Sequence, residues 1–398
     1  MEKKIKVLLV IPKLCNGGIE RVASNFSMGL DSSKFEQYVF SIMPQDESYP
    51  FSVSVEVVNR DVKDNILGKF KNFLHRIKYL NEFIVKNEID IIVSFGERCN
   101  IISMLTKSSV KKIITIHSQL SIENNSKGKY GKFQGILSKL LYKRADEIVA
   151  VSETVKKDAI AYLRLNQNKF TVIYNGSDIG RIQDLALEPV TLDYKNYIVS
   201  VGRITYAKGY PHLVRVVNEL KKDIPSIKLI IIGGAERDGQ LPIIEDLISF
   251  YGLQENIILL GQQENPFKYI NNAKALVMSS IFEGFPGVVI ESLACGTPVI
   301  TTDCGGATEV ISRGNSLNQP NSNNLLASNL GIVTPKITHI DNYKASLSHA
   351  EIKLGDAIKS LYAESKFDSK LIQQESKIYT TEKMVSHYEK LIYKVAGH

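Results

Sequence analysis

The feature that most constrains this 398-residue chain is an alternation repeated along most of its length: short β-branched apolar runs, each followed by a longer stretch of helical periodicity. The runs "IKVLLVIP", "QYVFSIM", "VSVEVV", "IDIIVSF", "KKIITIH", "DEIVAVS" and "FTVIYN" occupy the first half, and "NYIVSVG", "IKLIIIGG", "NIILLG", "KALVMSS" and "TPVITTD" the second. Near-continuous apolar runs of this length, separated by single helices, predict parallel strands covered on both faces. Two such series predict an α/β protein of two Rossmann-like, doubly wound parallel-sheet domains facing an interdomain cleft. The length agrees, being too great for one ordinary core. Residues 1–175 are read as the first domain, 176–195 as a linker rich in turn residues, and 196–379 as the second domain. Residues 380–398 contain the amphipathic "TEKMVSHYEKLIYKV", expected to form a terminal helix packing back on the first domain. The Asn- and Ser-rich stretch 314–328 reads as an exposed loop.

Composition narrows the function classes. At 44% hydrophobic and 23% charged residues the chain is that of a soluble globular protein. No apolar run approaches the ~20 residues of a membrane-spanning helix, and the N-terminal run from Val7 to Pro12 reads as a buried first strand, not a leader. A cytoplasmic protein is expected. Its four cysteines, Cys15, Cys99, Cys295 and Cys304, are scattered, so they read as free thiols. No His or Cys spacing suits a metal ligand set, and no Asp-x-Asp occurs, so neither a metal nor another cofactor is expected. The charge is unevenly placed. Residues 1–175 hold 27 Lys and Arg against 18 Asp and Glu, an excess of +9, whereas the whole chain is +7. A basic half points to an anionic partner such as a membrane surface, a phosphorylated lipid or nucleic acid. Two basic amphipathic stretches contribute. Residues 68–80 gather Phe70, Phe73, Leu74, Ile77 and Leu80 on one helical face, and 129–144 gather Phe133, Ile136, Leu137, Leu140 and Leu141. These faces suit either the sheet or an anionic inner membrane leaflet.

Doubly wound sheets bind ligands beyond the carboxyl ends of their strands, so the loops there carry the chemistry. In "VIPKLCNGGIERV", Gly17 and Gly18 permit a tight positive-φ turn, with a helix from about Ile19 or Glu20. Its amides suit a phosphate or sugar oxygen, although a plain connecting turn would look the same. In "VSVGRITYAKGYP", Arg203 and Lys208 lie between a strand and a helix, where two cations would neutralise a diphosphate; a pair of solvated surface charges is the plain alternative. In "SSIFEGFPGVVIESLACGTPVI", Glu283 sits on the loop after a strand and Pro286 suits the first turn of a helix that ends at Gly296. Glu291 lies over one turn into that helix, among apolar residues, and needs a partner. Ribose hydroxyls would supply one, as would a salt bridge.

Taken together these stretches resemble the GT-B fold retaining glycosyltransferases of family 4 (glycosyl transferases group 1). The resemblance rests on Glu283-x7-Glu291, the Gly17-Gly18-x-Glu20 turn, "GRITYAKG", the interdomain "VIYNGSD" and "TIHS", in that family's order over about residues 5–312 and in the terminal helix. It implies that Arg203 and Lys208 hold the donor diphosphate and that Glu291 binds the ribose. Glu283 and the Gly284–Phe285–Pro286–Gly287 amides would hold the transferred sugar, with His117 beside it as a further candidate catalytic group. It further implies a metal-independent hexosyltransferase that moves a hexose or N-acetylhexosamine from a UDP-sugar, with retention, to a saccharide on a polyprenyl diphosphate. The setting would be cell-surface polysaccharide synthesis, with the enzyme peripheral on the inner face of the cell membrane. Arg98, after a strand end in "SFGERCN", is a candidate acceptor contact. A GDP-mannose-dependent mannosyltransferase and a noncatalytic nucleotide-sugar or polyanion-binding protein of the same fold are the alternatives. A nucleic-acid partner would explain the basic half but not Glu-x7-Glu. The longer, Asn-rich segment 313–350 departs from the family pattern.

Overall fold

A computed structural model describes residues 3–14, 17–44, 49–58, 66–107, 109–192, 194, 196–236, 238–313, 325–363 and 367–397. The chain divides into two compact units, Met1–Ser177 with Tyr379–His398, and Asp178–Ile378.

In the first unit seven strands, β1 (Ile5–Ile11), β2 (Phe35–Ser41), β3 (Val55–Val57), β4 (Ile91–Phe95), β5 (Lys111–Ile116), β6 (Glu147–Ala150) and β7 (Phe170–Val172), form a parallel sheet ordered β3-β2-β1-β4-β5-β6-β7. Helices α1 (Gly18–Gly29), α2 (Ile66–Lys86), α3 (Glu97–Leu105), α4 (Leu120–Ser126), α5 (Gly128–Leu141) and α6 (Glu153–Leu163) make the crossovers. Both faces of β1 are buried, which is why its sequence is apolar without alternation. Val7, Leu9 and Ile11 face Val22 and Phe26 of α1, while Leu8 and Val10 face Leu80 and Ile84 of α2. Each such buried aliphatic side chain contributes about 2 kcal/mol.

The second unit repeats the plan with β8 (Ile198–Val201), β9 (Leu229–Ile232), β10 (Ile257–Gly261), β11 (Leu276–Met278), β12 (Val299–Thr302), β13 (Leu326–Ser328) and β14 (Gly331–Thr334), ordered β10-β9-β8-β11-β12-β14-β13. Among the described residues only the edge pair β13–β14 is antiparallel. Its helices are α7 (Ile179–Ala186), α8 (Tyr210–Leu220), α9 (Gln240–Phe250), α10 (Phe267–Asn271), α11 (Gly287–Ala294), α12 (Gly306–Ile311), α13 (His349–Ala363) and α14 (Ser369–Ser376). The last helix, α15 (Thr381–Ala396), belongs to the first unit. There Met384, Val385, Tyr388, Leu391 and Ile392 join the β1 and α1 core, with the Tyr388 and Phe26 rings 4.9 Å apart.

A buried ionic network fastens α13 to α8. Glu351, wholly inaccessible, accepts from His212 Nδ1 at 2.9 Å and Arg215 Nη1 at 2.6 Å through Oε1. Its Oε2 accepts from the Ser348 amide and hydroxyl, each at 2.7 Å. Arg215 Nη2 also donates to the carbonyls of Ala345 and Ser346. Burial alone would raise the Glu351 pKa, but the bonds from His212 and Ser348 and the Arg215 charge outweigh it and hold the carboxyl low.

Three local expectations are corrected. The stretch 176–195, read as linker, contains α7, because Asp178 caps Arg181 N and the helix buries Ile179, Ile182 and Ala186. Strand β3 is three residues long instead of spanning "VSVEVV", and β13 and β14 were not read as strands at all. The loop read at 314–328 lies largely outside the described residues, and 326–328 are β13. Helix α5 settles the orientation left open above by turning most of its apolar face outward. Its inward face is Gly131, Gln134, Gly135 and Ser138 with Leu141, whereas Tyr130, Phe133, Ile136 and Leu140 are 52–60% exposed. Close approach explains this: a Cβ at Gly131 would lie 1.9 Å from Asn124 O, and one at Gly135 2.0 Å from Tyr162 Oη. Helix α2 is closer to expectation, with Leu80 and Ile84 buried and Phe73 and Ile77 against the core, although Phe70 and Leu74 face outward.

Candidate functional site

The order of the second sheet reverses between β8 and β11, so the loops that follow these neighbouring strands meet at a topological switch point. Lys208 comes from the first loop and Glu283 from the second. Lys208 Nζ lies 2.7 Å from Glu283 Oε1, and the two side chains are only 21% and 15% exposed. Glycine at 202 makes room for the lysine stem, since a Cβ there would be 2.8 Å from Lys208 Cε. Burial would lower the Lys208 pKa, but the Glu283 carboxylate prevails and the ammonium is held above its usual value. Ser280 Oγ donates to the same Glu283 oxygen at 2.9 Å, and Glu283 N donates to Cys304 O at 2.7 Å, tying the loop to that after β12. Burial, reinforced by Glu283, pushes the Cys304 thiol up to about 12, which keeps it inert.

Pro286 does not occupy the first helical turn as expected. It caps α11 from just outside, with ψ at 113°, and Gly287 opens the helix. Glu291 is buried on α11 with its carboxylate turned back toward the helix start, where a Cβ at Gly287 would lie 3.9 Å from Oε1. Gly284, Phe285 and Pro286 are buried and Gly287 is exposed. Arg203 differs from Lys208. It is 65% exposed and pairs at 2.6 Å with Glu236, from the loop after β9. The structure therefore brings Lys208, Glu283 and Ser280 together and holds Arg203 on a separate carboxylate. Sequence reasoning did not single out Glu236 or Ser280, although Ser280 is three residues before Glu283 in the stretch that carried the strongest signal.

In the first unit Gly17 is extended (φ −97°, ψ 165°) and caps α1, which starts at Gly18. The expected positive-φ turn is thus absent at both glycines. The reason is that an extended residue already leads the chain into the first helical turn. Cys15 and Asn16 lie outside the described residues. A Cβ at Gly18 would meet nothing within 4 Å. His117 follows β5, with Nε2 2.7 Å from Thr115 Oγ1 and its ring 6.0 Å from that of Phe95; burial pushes its pKa down to about 4. Arg98 is exposed near the start of α3. Burial, and then the Arg98 guanidinium, lower the pKa of Arg76 on α2. Among the described residues no group of three His, Cys, Asp or Glu side chains is placed to hold a metal ion.

Residues 16–181 match the profile of Glycosyltransferase Family 4, and residues 188–330 that of Glycosyl transferases group 1. The N-acetylgalactosamine-N,N'-diacetylbacillosaminyl-diphospho-undecaprenol 4-alpha-N-acetylgalactosaminyltransferase of Campylobacter jejuni is 31% identical over 309 residues, 75% of this chain and 80% of its own. The chain belongs to the family 4, group 1 glycosyltransferases. An uncharacterized glycosyltransferase of Methanocaldococcus jannaschii is 31% identical over 261 residues, 62% of this glycosyltransferase and 63% of the archaeal protein. Among solved structures, Anabaena HepE in complex with UDP superposes with a TM-score of 0.72, covering 98% of this glycosyltransferase and all of HepE at 16% identity. That likeness establishes the GT-B fold.

Proposed function

We propose that this glycosyltransferase moves a hexose or N-acetylhexosamine from a UDP-sugar to a saccharide on a polyprenyl diphosphate, retaining anomeric configuration and using no metal ion. The observation that carries this reading is the half-buried Lys208–Glu283 pair at the switch point of the second sheet. Support for the acceptor comes from the undecaprenol-diphosphate-linked saccharide in the name of the Campylobacter relative, and support for uracil from the nucleotide in the Anabaena structure.

As the bond from the anomeric carbon to the diphosphate oxygen breaks, negative charge grows on phosphate and positive charge on the sugar. A cation already fixed at the phosphate stabilises the first without reorganisation. Lys208 takes that role, and Arg203 joins it by leaving Glu236. Glu291 accepts from the ribose hydroxyls, while Glu283 and the amides of Gly284 to Gly287 hold the sugar, with His117 assigned to it as well. The departing phosphate oxygen takes the proton of the acceptor hydroxyl as that oxygen bonds to the anomeric carbon on the same face. Arg98, with Arg76 close by, is the acceptor contact in the first unit.

The test is nucleoside diphosphate release from UDP-N-acetylgalactosamine, UDP-N-acetylglucosamine, UDP-glucose and GDP-mannose, with an undecaprenyl-diphosphate-linked saccharide present. Turnover of a UDP-sugar that depends on the acceptor is expected. Donor binding without release would favour a noncatalytic role, and preference for GDP-mannose would replace uracil by guanine.

The same reading places the first unit on an anionic membrane. Among the described residues no helix is long and apolar enough to cross one. Helix α5, however, turns Tyr130, Phe133, Ile136 and Leu140 outward, carries Lys129, Lys132 and Lys139, and has no acidic residue. A basic helix with an exposed apolar stripe suits the headgroup boundary. Flotation on phosphatidylglycerol vesicles is expected to weaken at least about tenfold in F133S/I136S/L140S and to fall with salt. Equal, salt-insensitive failure of the parent protein to float would refute this placement.

A further inference from the structure

Strand β5 alternates its side chains, so Thr115 and His117 leave it on the same side. Thr115 is wholly buried, and its hydroxyl donates to the Ser94 carbonyl at 2.9 Å. The same oxygen lies 2.7 Å from His117 Nε2. A hydroxyl has one hydrogen, and a carbonyl can only accept. With that hydrogen given to Ser94, the contact to the imidazole is made by an N–H on the ring, and Nε2 carries it. In a neutral imidazole Nδ1 is then the nitrogen with the lone pair.

The support continues behind Thr115. Asn100 of α3, also wholly buried, donates from Nδ2 to Thr115 O at 2.8 Å and accepts from Ser94 Oγ at 2.8 Å. The side chains of Ser94 and Asn100 thus hold β4 and β5 in register beside His117, with the Phe95 ring inclined 36° to the imidazole. A buried polar network satisfied at each of these contacts fixes geometry that one bond alone would not.

We propose that Thr115 is a positioning residue that locks His117 in the Nε2–H tautomer, so that Nδ1 accepts a hydrogen bond from a sugar hydroxyl. This rests on the assignment of His117 to the sugar. It makes the imidazole an acceptor toward substrate and removes it as a source of the proton for the departing phosphate. The ring is neutral for the purpose, since burial keeps its pKa near 4.

The experiment is a long-range 1H–15N spectrum of the full chain labelled at histidine nitrogens, with the His117 signals identified by their loss in His117→Asn. At pH 7 a protonated Nε2 and an unprotonated Nδ1 are expected. Thr115→Val is expected to mix the tautomers and to lower kcat/KM for UDP-N-acetylgalactosamine, or the fastest UDP-sugar of the panel, at least about tenfold. Thr115→Ser, which keeps the hydroxyl, is expected to restore both. A parent spectrum with Nδ1 protonated overturns the proposal, whatever the variants do, and so does a folded Thr115→Val with unchanged tautomer and rate. Normal transfer by His117→Ala would instead remove the histidine from the sugar, and with it the role of Nδ1, while the Nε2–H signal of the parent protein stood.

Discussion

Lys208→Ala is expected to lower kcat/KM for the UDP-sugar by at least about two orders of magnitude. The size follows from where the ammonium sits. It is one-fifth exposed, its pKa is held high beside Glu283, and it projects from the loop after β8, at the point where the strand order reverses. A cation kept in place by a carboxylate and a glycine-walled slot needs no rearrangement when charge develops nearby, and that is the circumstance in which one fixed group is worth about 3–4 kcal/mol in the transition state. Arg203 cannot substitute from its present position, since its guanidinium is committed to Glu236 and mostly solvated. The measurement is steady-state release of UDP with circular dichroism to confirm the fold. A folded Lys208→Ala enzyme with near-normal kinetics would take the lysine out of the site.

Glu351→Ala is expected to destabilise the second unit by roughly 3–5 kcal/mol, because it leaves the charge of a wholly buried guanidinium without its counter-ion. Arg215 would keep only the carbonyls of Ala345 and Ser346, and His212 would lose its Nδ1 partner. For a unit of about 200 residues this corresponds to a fall in Tm on the order of 10 °C. Replacing both charges with methionine should recover much of the loss, since packed apolar side chains do not carry the desolvation penalty. Chemical denaturation of the single and double variants checks both statements. If Glu351→Ala unfolds at the same denaturant concentration as the parent, the network is not what holds α13 to α8.

The strand alternation was legible because, apart from the β13–β14 edge pair, the strands are parallel and covered on both faces, which writes itself into the chain as apolar runs such as "VLLVI" and "LIII". The Glu283-to-Glu291 stretch was legible for a similar reason: a strand, a Gly-Pro loop and an apolar helix follow one another within about twenty residues. The orientation of helix α5 was not legible, because periodicity reports which residues share a face, not which face meets the protein. Here two glycines let the polar, narrow side approach, and the large apolar residues were left outside. Arg203 and Lys208 were legible together because both lie in "GRITYAKG", whereas the Arg203 partner Glu236 is 33 residues on, in a loop after a different strand, and left no local signal. Thr115 had a signal that went unused. A hydroxyl two residues before a histidine on a strand shares its face, and could have been examined as its partner. Strands β13 and β14 pair antiparallel with no helix between them, so they fall outside the strand–helix alternation by which the others were read.

The first unit is built from both ends of the chain, with α15 supplying Tyr388, Leu391 and Ile392 to a core otherwise laid down by residues before 178. On the ribosome that core therefore waits, its α1 side still lacking the side chains of α15, while two hundred further residues are translated. The second unit, contiguous in the chain, is free to finish first. The order of assembly is the reverse of the order of synthesis, and a message cut short before the codons for α15 would yield a complete second unit beside an unsealed first.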